Sequence, residues 1–338
     1  MAGVDAHIMK QDFENVVRLI ADRMRKGENV IVGDITHSDT NVLRYVAHPW
    51  ALKQYHDAGM TDLLLEIPQQ DYNLLKSLQG RGLSREDINS AISKHKILSA
   101  TLPEKDGTKA EWLSGLADIT YYTDQFKIKL HYDPSTEAGE KYAMGKLPEN
   151  ERELLQKFWD DRNAGRRTED SMTSAEKGAF DIYLKSRHEY RSAKNSNDAS
   201  PSDTAVVNGM KERGVGAGPV LGFFGVGHLL GRNDLDELLT EVNSRPTKVI
   251  MPYMPEHNGI IQNAIDAKVG KIDVPDYFNN PRTAELRETP KKPDDIANAR
   301  TIAQWFNDAT SVNISNLGTL PPSFSINSDI SASSVRQR

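Results

Sequence analysis

Cysteine is absent from the 338 residues. With it go thiol nucleophiles, cysteine-ligated zinc sites and disulfides. No apolar run approaches the roughly 18–20 residues that cross a bilayer, and mean hydropathy is −0.59. An excess of basic charge is also missing. The 42 Lys and Arg are outnumbered by 48 Asp and Glu, for a net charge of −6, which argues against a general nucleic-acid binder. There is no Gly-x-Ser-x-Gly elbow of the α/β-hydrolase kind. The opening MAGVDAHIMKQDFENVV lacks the basic-then-apolar pattern of a signal peptide. The expected location is the cytoplasm, or outside the cell by a route without a cleavable signal.

What is present suffices for a core: 38% hydrophobic and 27% charged residues. Phe13, Val16, Val17, Ile20, Ala21 and Met24 fall at helical spacing, and Gly27 stands where a C-cap belongs. Val30–Val32 reads as a buried strand, and a second helix is predicted from Asp39 to Ala58. Leu63–Leu65 reads as another buried strand. Strand, helix, strand at this spacing is a βαβ unit with parallel strands. Ser84-x-x-Asp87 and Thr108-x-x-Glu111 predict helices over 84–97 and 109–119. Phe126, Ile128 and Leu130 alternate with Lys127, Lys129 and His131 as a half-buried strand.

Residues 133–177 are crowded with charge and short of apolar anchors, so a helical insertion or lid is expected there rather than core. A helix over 174–191, with Phe180, Tyr183 and Leu184 inward, extends the insertion to about residue 200. Helix 203–213, strand Val220–Phe224, helix 234–242 and strand Lys248–Met251 resume the core. Further helices are expected near 259–267 and 293–308. The last 28 residues hold eight serines and neither Lys nor Glu, the composition of a flexible tail. The predicted fold is α/β, a mainly parallel sheet flanked by helices, with one domain over 1–310 and a tail over 311–338.

The strand ends carry the chemistry. In open α/β sheets, ligands bind beyond the carboxyl ends of parallel strands. Here those ends supply Asp34 and His37, Glu66, His131 with Asp133, His228, and His257. His37 could act as general base toward water, Glu66 could orient it, and His228 could stabilise or protonate the reacting oxygen. The set His37, Glu66 and His228 would equally suit a divalent metal such as Mn, Co or Zn, which would activate a bound water. His131 and Asp133 also read as sheet-edge polar residues, His257 as a loop residue between prolines, and His48 and His56 as packing or exposed positions on the second helix. Gly225-x-Gly227 is no dinucleotide fingerprint, because the third glycine comes one residue late, at Gly231.

The same residues carry a resemblance. Gly33-Asp34-Ile35-Thr36-His37 is similar to the Gly-Glu-x-x-His signature of erythromycin esterases, with Asp34 in place of the glutamate. Leu63-Leu64-Leu65-Glu66-Ile67-Pro68 resembles the strand and glutamate that follow. Phe224-Gly225-Val226-Gly227-His228-Leu229-Leu230-Gly231 resembles the Gly-x-x-His-Leu-x-Gly motif of TraB and Tiki proteins. Together they resemble the superfamily uniting erythromycin esterase, ChaN, TraB and Tiki, over residues 10–75 and 200–255. The resemblance implies an α/β core and a cleft lined by His37, Glu66 and His228, with Asp34 beside them. It also implies a helix-borne acid and arginine, for which Asp203, with Arg187 or Arg191 upstream, is the candidate, and His257 completes the candidate substrate contacts.

The expected function is hydrolysis of an ester or amide in a small molecule or peptide. Two alternatives stand beside it. One is a ChaN-like binder of haem or a similar ligand. The other is a secreted effector or toxin domain that acts on a host protein.

Overall fold

The computed structural model describes residues 2–34, 40–95, 108–191, 199–225, 228–229, 234–250 and 272–273. The order is α1 (Ala2–Arg25), β1 (Asn29–Asp34), α2 (Thr40–Ala47), α3 (Pro49–Asp57), β2 (Asp62–Leu65), α4 (Gln69–Leu78), α5 (Arg85–Lys94), α6 (Thr108–Gln125) and β3 (Lys129–Tyr132). There follow α7 (Ser135–Lys146), α8 (Glu149–Asn163), α9 (Ser174–Arg191), α10 (Pro201–Arg213), β4 (Val220–Gly225), α11 (Leu235–Asn243), β5 (Thr247–Ile250) and the two-residue β6 (Ile272–Asp273). Among the described residues no helix is long and apolar enough to cross a membrane.

The strands form one sheet in the order β3-β2-β4-β1-β5-β6, every neighbouring pair parallel. The architecture is thus the predicted α/β one, a parallel sheet flanked by helices. β4 inserts between β2 and β1, in register from Val30 opposite Leu221 to Asp34 opposite Gly225. The strands that precede His37 and His228 in the sequence therefore reach the carboxyl edge of the sheet side by side.

Strand alternation sorts the core into two layers. Val30, Val32, Leu63, Leu65, Leu130, Leu221, Phe223 and Ile250 pack on one face beneath α1–α6. Ile31, Leu64, Val220, Phe224 and Val249 pack on the other with Val206, Val207 and Met210 of α10 and Leu235 and Leu239 of α11. Gly222 lies on this second face, where an added Cβ would come within 3.2 Å of Ile31, so the close approach of β4 to β1 depends on its missing side chain.

Helix boundaries follow local chemistry. The buried stripe of α1 ends at Gly27, in the left-handed region at φ +81°. Ser84 and Asp87 close the predicted capping box of α5. The single helix expected over 39–58 is two helices. His48 is extended (φ −62°, ψ 129°) because Pro49 follows it, and its ring accepts the Trp50 N–H as an N-cap. Burial drives the His48 pKa down to about 3, with Arg44 adding to the effect. His56 is exposed and stacks on Phe126. The third strand begins at Lys129 rather than Phe126. α6 runs to Gln125, past the expected end at 119, and Lys127 at φ +58° makes the turn.

The insertion has its own small core, contrary to expectation: Leu147, Leu155, Phe158 and Ala179 are buried together, with Phe180 and Tyr183 against them. Arg167 spans it, its guanidinium 4.9 Å from the Phe158 ring and paired with Glu176 at 2.6 Å. Leu184, expected inward, is 48% exposed. The expected helices near 259–267 and 293–308 and the tail over 311–338 lie outside the described residues.

Candidate active site at the strand ends

The alternation that fills the second face with Leu64 also assigns Asp62 and Glu66 to it. Because Leu64 pairs with His131, Asp133 falls on that face as well. Glu66 follows the last residue of β2, and its N–H still bonds Phe223 O at 3.1 Å. One carboxylate oxygen, Oε2, accepts the Gly225 N–H at 2.6 Å, which ties the acid to the end of β4.

His228 stands three residues beyond β4, its ring edge-on to Phe224 with centroids 5.5 Å apart. Nδ1 lies 2.5 Å from Asp203 Oδ1, and Nε2 lies 3.4 Å from Glu66 Oε1. Asp203 is presented by the first turn of α10. It is 3% exposed, and its other oxygen accepts the Ser200 hydroxyl at 2.7 Å, while its own N–H donates to Ser200 Oγ. This N-cap exchange fixes the carboxylate before it meets the imidazole. Burial alone would lower the His228 pKa, but hydrogen bonds to Asp203 and Glu66 and their charges outweigh it and raise the pKa to about 10. At neutral pH His228 is therefore a cation with a carboxylate at each nitrogen, a hydrogen-bond donor rather than a base.

Asp133, which the sequence sets at a strand end with His131, completes the polar group. It is 2% exposed, and Ser135 donates to it twice, N–H to Oδ1 at 2.7 Å and hydroxyl to Oδ2 at 2.8 Å. Burial pushes its pKa up to about 6. The Ser135 bonds oppose this, the Glu66 charge adds to it, and His228 counters it. The signal was in the sequence: Asp133 lies two positions from His131, so one strand puts both on the Glu66 face. His131 stands on the edge strand, and its side chain is turned into the protein. It is buried and bonds Asp62 Oδ1 at 2.7 Å, and Asp62 also holds the Gly216 N–H at 2.9 Å.

Glu66, Asp203 and His228 are thus brought together. Asp203 has both oxygens engaged within the protein, so it positions His228 and has no free oxygen for a substrate. Arg187 lies on α9, where Nη1 donates to Thr136 O at 2.8 Å. The backbone of Asp34 ends β1 opposite Gly225. His37 and His257 lie outside the described residues. Among the described residues no three His, Asp or Glu side chains are grouped to hold a metal ion. Of the expected metal set, Glu66 and His228 lie together and His37 lies outside the described residues.

No family model matches the chain, and no curated protein does. Among solved structures, that of the type III effector HopBA1 is similar over 69% of this chain and 81% of its own, with 14% identity and a TM-score of 0.36. A likeness at that level carries no argument about fold or function.

Proposed function

We propose that the chain hydrolyses ester or amide bonds in the cleft where Glu66, Asp133, Asp203 and His228 meet. One observation carries this reading: an imidazole clamped between two carboxylates at the carboxyl ends of parallel strands. Nδ1–H is committed to Asp203, but Nε2–H is held only loosely by Glu66, at 3.4 Å; turned to a substrate, it stabilises the oxyanion that develops as water attacks a carbonyl and gives its proton to the leaving group. Asp203 holds the ring from its buried side, and Glu66, fixed by Gly225, is the more exposed of the two acids. His37, three residues after β1 in the sequence, is the base that activates water. The resemblance to the erythromycin esterase, ChaN, TraB and Tiki superfamily supports the same assignment.

The test is a panel of aryl esters and peptide amides, run on the wild type and on His228→Gln, Glu66→Gln and His37→Ala, with circular dichroism to confirm folding. Turnover falls by roughly 10²–10⁴-fold in His228→Gln, the usual contribution of a positioned general acid. Full activity in all three variants on a substrate the wild type cleaves overturns the reading.

A further inference from the structure

A groove enclosing about 550 Å³ runs over the insertion, walled by α7, α8 and α9. Its lining is aromatic: Trp159 meets Tyr183 edge-on at 5.0 Å, and Phe180 stacks on Tyr183 at 6.2 Å. Leu184 lies open to solvent beside these rings, which leaves apolar surface without cover. On the same helix Arg187 and Arg191 stand four residues apart and so face the same way.

Elsewhere Arg44, Arg85 and Arg167 are neutralised by Glu111, Asp118 and Glu176. Among the described residues neither Arg187 nor Arg191 has an ion pair. The bond from Arg187 to Thr136 O orients the guanidinium without cancelling its charge. Glu140 is the one acid on the described groove wall.

The inner end of the groove adjoins the cleft. Thr136 follows Ser135, which holds Asp133. Tyr190 is close enough to Asp133 for that carboxylate to add to the upward push of burial on its phenol. Gly139 lets α7 and α9 approach there, since an added Cβ would stand 2.9 Å from the Tyr190 ring.

We propose that this groove holds the C-terminal residue of a peptide substrate, its apolar side chain against Trp159, Phe180 and Leu184 and its carboxylate on Arg187 and Arg191. The assignment of a peptide rests on the hydrolase reading of the adjoining cleft. Leu184 and Arg187 are one helical turn apart, about 5 Å. That matches the distance between a side chain and the carboxylate of one residue, and a guanidinium fork takes a carboxylate through two parallel bonds.

The test is isothermal titration of the whole chain with N-acetyl-Ala-Ala-Phe, as the free acid and as the C-terminal amide. The acid is expected to bind at least about tenfold more tightly, the scale of a charge-assisted hydrogen bond. Arg191→Gln, an exposed position, removes that preference, and Leu184→Asp weakens both forms. Equal binding of acid and amide, no binding of either, or a preference that survives Arg191→Gln overturns the proposal. So does capture of phosphatidylglycerol vesicles in place of the peptide. An intact acid-over-amide preference without turnover of any ester or amide overturns the hydrolase reading alone.

Discussion

The two faces of the sheet are built by one alternation from the same strands, yet they carry different things. The face under α1–α6 is apolar from strand to strand. The face under α10 and α11 is apolar in its middle, but toward β2 and β3 it buries Asp62, His131, Asp133 and, through α10, Asp203. Burying such groups is unfavourable unless they are paired; Asp62 holds His131 through Nε2, while the ring's Nδ1 has no partner among the described residues, Ser135 holds Asp133, and Ser200 and His228 hold Asp203. The first face supplies cohesion. The second gives some of it up to hold charged groups where water is scarce and their fields are strong.

Breaking a pair on the polar face has the largest expected effect. Asp203→Asn removes one of the two negative charges flanking a buried imidazolium, and stability at neutral pH falls by about 3–5 kcal/mol, as read by urea denaturation. A truncation on the apolar face is of similar or smaller size but different in kind. Leu63→Ala costs about 2–5 kcal/mol and leaves turnover per folded molecule unchanged, whereas Asp203→Asn lowers both.

Asp133 sharpens the contrast further. Its folded pKa, about 6, lies above the ordinary carboxylate value of 3.8. The folded state therefore binds its proton more tightly, and stability declines as pH rises from about 4 to 6. Asp133→Asn removes that decline and stabilises the protein above pH 6 by about 1–3 kcal/mol, while turnover falls. Denaturation midpoints between pH 4 and 8 would check this. A variant with an unchanged pH slope would contradict it.

Much of the fold was legible because periodicity and punctuation agree. The strands stand out as short apolar runs, and Gly27 and the Ser84 capping box end or start helices where the residues say they should. Where the reading failed, a neighbour or a tertiary contact decided. Pro49 broke a helix that periodicity alone would continue. The insertion's core was hidden because Leu147, Leu155 and Phe158 are spread among charges and meet Ala179 only when α8 folds against α9.

In the site, Glu66 and His228 were readable from their places at strand ends. Asp133 needed the extra step of strand parity across a pair. Asp203 stands on the helix to which the resemblance points, but a sequence does not show that its two oxygens are engaged by Ser200 and His228.

The central claim is that His228 is held as a cation between Asp203 and Glu66. The most direct measurement is the pH titration of its imidazole by NMR, with ¹⁵N-labelled histidine and His228→Gln to assign the signal. The account predicts a midpoint near 10, falling toward the ordinary 6.5 in Asp203→Asn. Folding stability linked to this group would be complete below pH 6.5 and lost as pH rises through 10. A wild-type midpoint at or below 6.5 would contradict it.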